Sequence, residues 1–280
     1  MKPLGGRERY AWLGGRRASR WMVAVAMAVQ IVGCAELPRW RREPPVTGEL
    51  VLDQLVVHSA QPIAADHRLL RELLQLRQDV ATTLSLPTSD EPIHVYLFDD
   101  AREFSQFARQ EFPEVAQRRA LFVETDTRLS VYAHWGDRVA EDLRHEVSHG
   151  YLHAVAPGIP LWLDEGLAEF FEPPRNHGGL NQAHLVHLRE ALERGDWQPD
   201  LARLERLGAI GDMTQLDYAE SWAWVHFLLK SDSRRRQLLV DYLQTLHRGE
   251  LPEPLPVVIR QLHTQPEPLL VDHLRALPSG

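Results

Sequence analysis

Between residues 142 and 150 the chain reads Asp-Leu-Arg-His-Glu-Val-Ser-His-Gly, and its two histidines, His145 and His149, constrain the fold more than any other feature. Four residues of helix turn about 400° and rise about 6 Å, so both imidazoles leave one face within reach of a single ion. Two neutral imidazoles held that way can share one tetrahedral cation, typically zinc. Glu146 stands about 100° round the helix from His145, placed to act on a water beside such a cation rather than to bind it. His153 continues the line, but eight residues of helix span about 12 Å, too far from His145 for one ion. It is read as a surface or helix-end histidine.

Zinc in a catalytic site takes three protein ligands and keeps one position open. After a break at Pro157-Gly158 comes Pro160-Leu161-Trp162-Leu163-Asp164-Glu165-Gly166-Leu167-Ala168-Glu169-Phe170-Phe171. Glu165 opens a second helix that can fold back on the first, and Gly150 and Gly166 carry no side chain to hold the two backbones apart. The two segments together resemble the gluzincin metallopeptidases, the class of thermolysin and the alanyl aminopeptidases. In that class the third ligand is a glutamate on the helix after His-Glu-x-x-His, and in the aminopeptidases it stands in Asn-Glu-Gly. Asp164-Glu165-Gly166 matches with Asp for Asn and a slightly shorter spacer. The resemblance implies zinc on His145, His149 and Glu165, with Glu146 as general base. The metzincin class is excluded, because Leu152 and Val155 stand where it needs Gly and His.

Two further roles follow from that resemblance. Alanyl aminopeptidases stabilise the oxyanion with a tyrosine on a later helix, and Tyr218 begins a comparable segment; His226, eight residues on, is the other candidate and cannot face the same oxygen. Ligating imidazoles give their second N–H to a carboxylate or carbonyl. Glu169, one turn beyond Glu165, is the expected partner, since thermolysin-like enzymes have a carboxylate at that offset. Asp142 is expected to face solvent or the helix start. His184 and His187 lie three apart with no third ligand nearby and are read as solvated.

The first 34 residues carry six basic side chains against Glu8 alone, and the rest of the chain has 25 basic and 38 acidic residues, a formal charge of −13. So acidic a body is a poor match for phosphate backbones, which argues against nucleic acid as a partner. The basic start runs into an apolar stretch of about a dozen residues, short of the roughly 20 that span a bilayer, and reads as a secretory signal peptide over residues 1–33. Ile31-Val32-Gly33-Cys34 resembles the lipobox of bacterial lipoproteins, in which the cysteine is acylated and becomes the mature N-terminus. Cys34 is the only cysteine, so acylation rather than a disulfide gives the thiol a purpose. Several acyl chains make a stable anchor at about 0.8 kcal/mol per buried methylene. With Glu36 rather than Asp second after the cysteine, the resemblance implies the outer membrane, facing the periplasm, if the host is Gram-negative. Residues 34–48 then read as a proline-broken tether.

Beyond the tether, a strand is expected over 49–58, a helix over 66–84, a strand over 93–98 and a helix after Asp99 or Asp100. Two strands around Thr125-Asp126-Thr127 make a hairpin, and Asp137 caps the zinc helix. This order resembles the N-terminal half of a zincin domain, whose edge strand beside the zinc helix holds an extended peptide; by that resemblance residues 129–134 dock the substrate. Residues 176–179 form a loop. Helices follow over 180–197, 218–229, 234–246 and 267–277. The expected fold is therefore α+β over residues 49–280: a zincin-like metallopeptidase domain with a small mixed sheet, the His-Glu-x-x-His helix and, after about residue 157, a helical part.

From Leu50 onward the chain is similar to an uncharacterised bacterial family of peptidase-MA-like proteins, most closely over 143–149, 161–171 and 218–229. The leading expectation is a membrane-anchored zinc peptidase acting on exported proteins or peptides. The alternative is a non-catalytic lipoprotein that keeps the zincin body as a binding or scaffold module. The complete set of His145, Glu146, His149 and Glu165 favours the first. No Gly-x-Met-Glu-Asn-like amine-binding motif is present, which leaves endopeptidase and aminopeptidase action both open.

Overall fold

Alternation of side chains at period two builds the sheet, and the apolar faces it creates decide where the helices lie. The computed structural model describes residue 44 and residues 48–278; the leader, Cys34 and nearly all of the tether lie outside them. Strand β1 (Gly48–Leu52) and strand β2 (Leu55–Ser59) replace the single strand expected over 49–58. The break is a two-residue hairpin turn at Asp53-Gln54, with Asp53 at φ +54°, a conformation that a short polar side chain tolerates. Helix α1 (Arg68–Leu84) locks that turn: its buried Arg77 donates to Asp53, Gln54 and the Ser89 carbonyl.

Strand β3 (Ile93–Phe98) is followed by α2 (Ala101–Glu111), and it is Asp100 whose carboxylate caps the helix. The hairpin of β4 (Leu121–Thr125) and β5 (Arg128–His134) forms as expected. Strand order is β1-β2-β3-β5-β4, with β2, β3 and β5 parallel and both outer pairs antiparallel. Residues 129–134 therefore lie inside the sheet, hydrogen-bonded on both sides, and cannot dock a peptide. The edge beside them is β4.

One sheet face, with Leu55, Val57, Ile93, Val95, Leu97, Leu129 and Val131, forms the main core with α1 and α3 (Val139–His153). Tyr96, Phe98 and Tyr132 on the other face pack under Phe104, Ala108 and Phe112. Fully buried Leu143 and Val147 fix the rotation of α3, each contributing about 1.5–3 kcal/mol by burial. The N-cap of α3 is Arg138 without a side-chain bond, so Asp137 does not cap it.

After α3 the described chain is helical: α4 (Leu161–Phe171), α5 (Gln182–Arg194), the short α6 (Leu201–Leu204), α7 (Gln215–Lys230), α8 (Ser233–His247), α9 (Leu255–Leu262) and α10 (Pro266–Ala276). The architecture is thus α+β with a small mixed sheet and a helical C-terminal part, as expected. Helix α9 lies between the helices expected over 234–246 and 267–277; Pro254 and Pro256 stand at its N-cap and first turn, where a missing N–H costs nothing. Helix α7 starts with a Thr214/Asp217 capping box and is buried on all sides from Asp217 to Leu229. The two glycines serve other neighbours than expected. A Cβ on Gly150 would lie 2.9 Å from Ile93 of β3, and one on Gly166 would lie 2.5 Å from the Ser221 carbonyl of α7. Among the described residues no helix is long and apolar enough to cross a membrane.

Candidate metal centre

Helix α3 presents His145 and His149 on one face, and α4 packs against it with Glu165 as its fifth residue, just past the first turn. Three atoms converge. His145 Nε2 and His149 Nε2 are 3.3 Å apart, and Glu165 Oε2 is 3.4 Å from the first and 3.8 Å from the second. A tetrahedron around a cation with bonds of about 2.05 Å has edges of about 3.3 Å, so this triangle has the size of one face of a zinc site. Glu165 is only 2 % exposed, and its Oε2 has no hydrogen-bond donor among the described residues. A buried carboxylate oxygen without a donor is costly unless a cation meets it. The donor set therefore fits zinc.

The far sides of both rings are fixed by carboxylates. His145 Nδ1 hydrogen-bonds Glu172 Oε2 at 3.1 Å, and His149 Nδ1 lies 3.0 Å from Asp164 Oδ1, off the line of an ideal hydrogen bond. A proton placed on each Nδ1 by these partners leaves both Nε2 lone pairs aimed at the same point. Glu169, expected in this role, instead meets His184 Nε2 at 2.8 Å and Asn181 Nδ2 at 3.2 Å. His184 is accordingly paired rather than solvated. Asp164 also reaches beyond the centre: its Oδ2 contacts His153 Nε2 at 3.0 Å, and His153 Nδ1 contacts Glu124 Oε2 of β4 at 2.6 Å. The histidine read as a surface or helix-end residue does end α3, and it ties the edge strand to a ligand's partner. Phe122, also on β4, stacks against His149 with ring centroids 5.7 Å apart.

Electrostatics follow the charges packed here. Burial pulls His145 down, but Glu165 and Glu172 beside it outweigh that and hold it well above the ordinary imidazole value. Burial would lift Glu165, yet the adjacent imidazoles keep its carboxyl low. For Glu146 burial wins, and its carboxyl is pushed up against the opposing pull of His145 and His149.

The family described as "Protein of unknown function (DUF1570)" matches residues 139–251, a stretch that holds α3 through α8 and with them His145, Glu146, His149, Glu165 and Tyr218. Among solved structures, the M1 zinc metallopeptidase from Deinococcus radiodurans is similar at 17% identity and a TM-score of 0.37, over 83% of this chain and 52% of that one. A point mutant of that enzyme matches with the same figures. The chain spans about half the length of these structures. No curated protein matches it.

Tyr218, at the start of α7, accepts a hydrogen bond from Arg118 Nη2, and Arg118 lies in the loop before β4. Burial, with the Glu165 charge nearby, pushes the Tyr218 phenol up to about 12, against the pull of Arg118. Burial works against the Arg118 charge, but Tyr218, Glu165 and Glu146 outweigh it and raise its pKa. His226 points elsewhere: its Nδ1 meets His273 Nε2 at 2.9 Å, and burial drives its pKa down to about 3. Asp142 is held by a two-pronged contact from Arg119 rather than left to solvent. Glu172 and Asp164 carry a faint sequence signal, at two turns from Glu165 and next to it. Arg118 and Glu124 carry none, because only the hairpin topology brings them in.

Proposed function

We propose that the chain is a zinc-dependent peptidase that hydrolyses peptide bonds in exported proteins or peptides, tethered to a membrane by acyl chains on Cys34. The observation that carries the reading is the convergence of His145 Nε2, His149 Nε2 and donor-free Glu165 Oε2 at 3.3–3.8 Å. His145, His149 and Glu165 would hold the zinc, which when bound polarises a carbonyl and acidifies water. Glu146 takes the proton of the attacking water and passes it to the leaving amine. Its raised pKa favours the first of these steps, since a more basic carboxylate takes the proton of water more readily. Tyr218 stays protonated at physiological pH, and the Arg118 N–H occupying its oxygen leaves the phenol proton to meet the developing oxyanion. Strand β4, with one side unpaired among the described residues and Phe122 against His149, offers an extended peptide its main-chain partners.

The test measures bound zinc and peptide hydrolysis for the parent, Glu146→Gln and His149→Ala. Glu146→Gln is expected to keep zinc and lose at least about 100-fold in kcat, within the range of general-base contributions, while His149→Ala loses both. Equal turnover by the parent and Glu146→Gln would sink the peptidase reading in favour of a zinc-binding scaffold. The tether is tested separately: radiolabelled fatty acid appearing on Cys34→Ala protein would refute it.

A further inference from the structure

A cavity of about 730 Å³ opens between α1, Arg144 of α3, the end of α4, the following loop and the C-terminus of α7, and none of the catalytic candidates lines it. That volume suits a small organic ligand. Five cations face it, Arg68, Arg71, Arg144, Arg175 and Lys230, against two carboxylates. Both carboxylates are already taken: Glu72 lies 2.8 Å from Arg68 and 3.3 Å from Arg144, and Asp79 lies 2.6 Å from Arg175. Arg71 and Lys230 have no carboxylate partner among the described residues. This surplus of positive charge sits on a body whose charge beyond residue 34 is −13.

The apolar side of the cavity is equally specific. Lys230 Nζ lies 5.4 Å from the centroid of the Phe170 ring. Gly179, at φ +86°, lies so close over the same ring that a Cβ would fall 2.2 Å from it, so only glycine lets the loop close this wall. Phe171, Pro173 and Pro174 extend the apolar lining.

From this we infer that the cavity binds an organic anion, a phosphate or carboxylate group carried on an apolar body, with Arg71 and Lys230 taking the charge and the accessible Pro173 and Pro174 the body. Guanidinium and ammonium groups without counter-charges are the natural partners of such an anion, and the acidic body elsewhere repels it. The site is independent of the peptidase reading, because no residue of the metal centre contributes to it.

Calorimetric titration of the full chain with phenyl phosphate, phenol and inorganic phosphate tests this. Phenyl phosphate is expected to bind at least tenfold more tightly than either of the others. Arg71→Ala and Lys230→Ala each weaken it about tenfold, whereas Arg109→Ala, an exposed cation on α2, leaves it unchanged. Both cavity side chains are exposed, so the variants keep the parent's thermal melt. Binding no tighter than phenol or inorganic phosphate, unaltered binding by the two cavity variants, or an equal loss in Arg109→Ala would each overturn the assignment.

Discussion

Two glutamates are sealed into this molecule in opposite ways. Glu220, on α7, is fully buried, yet each of its oxygens is claimed: Oε1 by the Asp200 N–H and Trp224 Nε1, Oε2 by Trp197 Nε1 and Arg203. Glu165, on α4, is almost as buried and leaves Oε2 without a donor, facing two imidazole nitrogens. A buried carboxylate surrounded by N–H groups is part of the framework, whereas one whose oxygen faces two imidazole nitrogens without a hydrogen bond is placed to stabilise a cation among them. Burial alone does not separate the two; the chemistry of the nearest atoms does.

Removing each carboxylate gives the largest expected effects, and of opposite kinds. Glu220→Ala strips the partner from Arg203, two indole N–H groups and a backbone N–H, and is expected to cost about 3–5 kcal/mol of stability while zinc affinity of the folded fraction holds. Glu165→Ala is expected to lower zinc affinity more than 100-fold while leaving the chelator-treated protein no less stable than the treated parent. Denaturant melts with and without chelator read both. Chelation should lower the parent's midpoint and leave that of Glu165→Ala unmoved, since only a ligand that binds the native state stabilises it. If chelator-treated Glu165→Ala loses as much stability as Glu220→Ala, the contrast between the two glutamates disappears.

Smaller effects are expected one layer out. Asp164→Ala and Glu172→Ala should each weaken zinc binding about 10–100-fold, because they free the imidazoles to rotate. Glu169→Ala, whose contacts run to Asn181 and His184, should change it far less. Competition against a chromophoric chelator ranks the three. A larger loss in Glu169→Ala than in Glu172→Ala would return the orienting role to the residue favoured by sequence spacing.

That exchange marks how far the sequence could be read. The approach of His145 to His149 was legible because a helix fixes their spacing locally, and most helices and strands followed from periodicity, the β1–β2 turn and α9 excepted. Glu165 needed family resemblance, since nothing in the fifteen intervening residues dictates how α4 returns. Residues 129–134 were misplaced as the edge because strand order is a property of the whole sheet, which a local pattern does not encode. His153 was set aside on ligand geometry alone, yet its value lies in joining Asp164 to Glu124 across three elements.

Gly166 gives the gentlest test, because it separates the two faces of α4. Its neighbour Glu165 faces the metal centre, while Gly166 itself presses on the Ser221 carbonyl, where an added Cβ would sit 2.5 Å away. Overpacking of this kind costs about 1–3 kcal/mol, and the better helix propensity of alanine returns up to about 1 kcal/mol. Gly166→Ala should therefore destabilise the protein by about 1 kcal/mol net. The obstructing atom is backbone, so relief comes by moving α4 away from α7. That displacement carries Glu165 with it, and zinc affinity should fall a few-fold together with stability. Unchanged affinity in a destabilised Gly166→Ala would mean that α3 and the carboxylates behind its histidines hold Glu165 in place without help from α7.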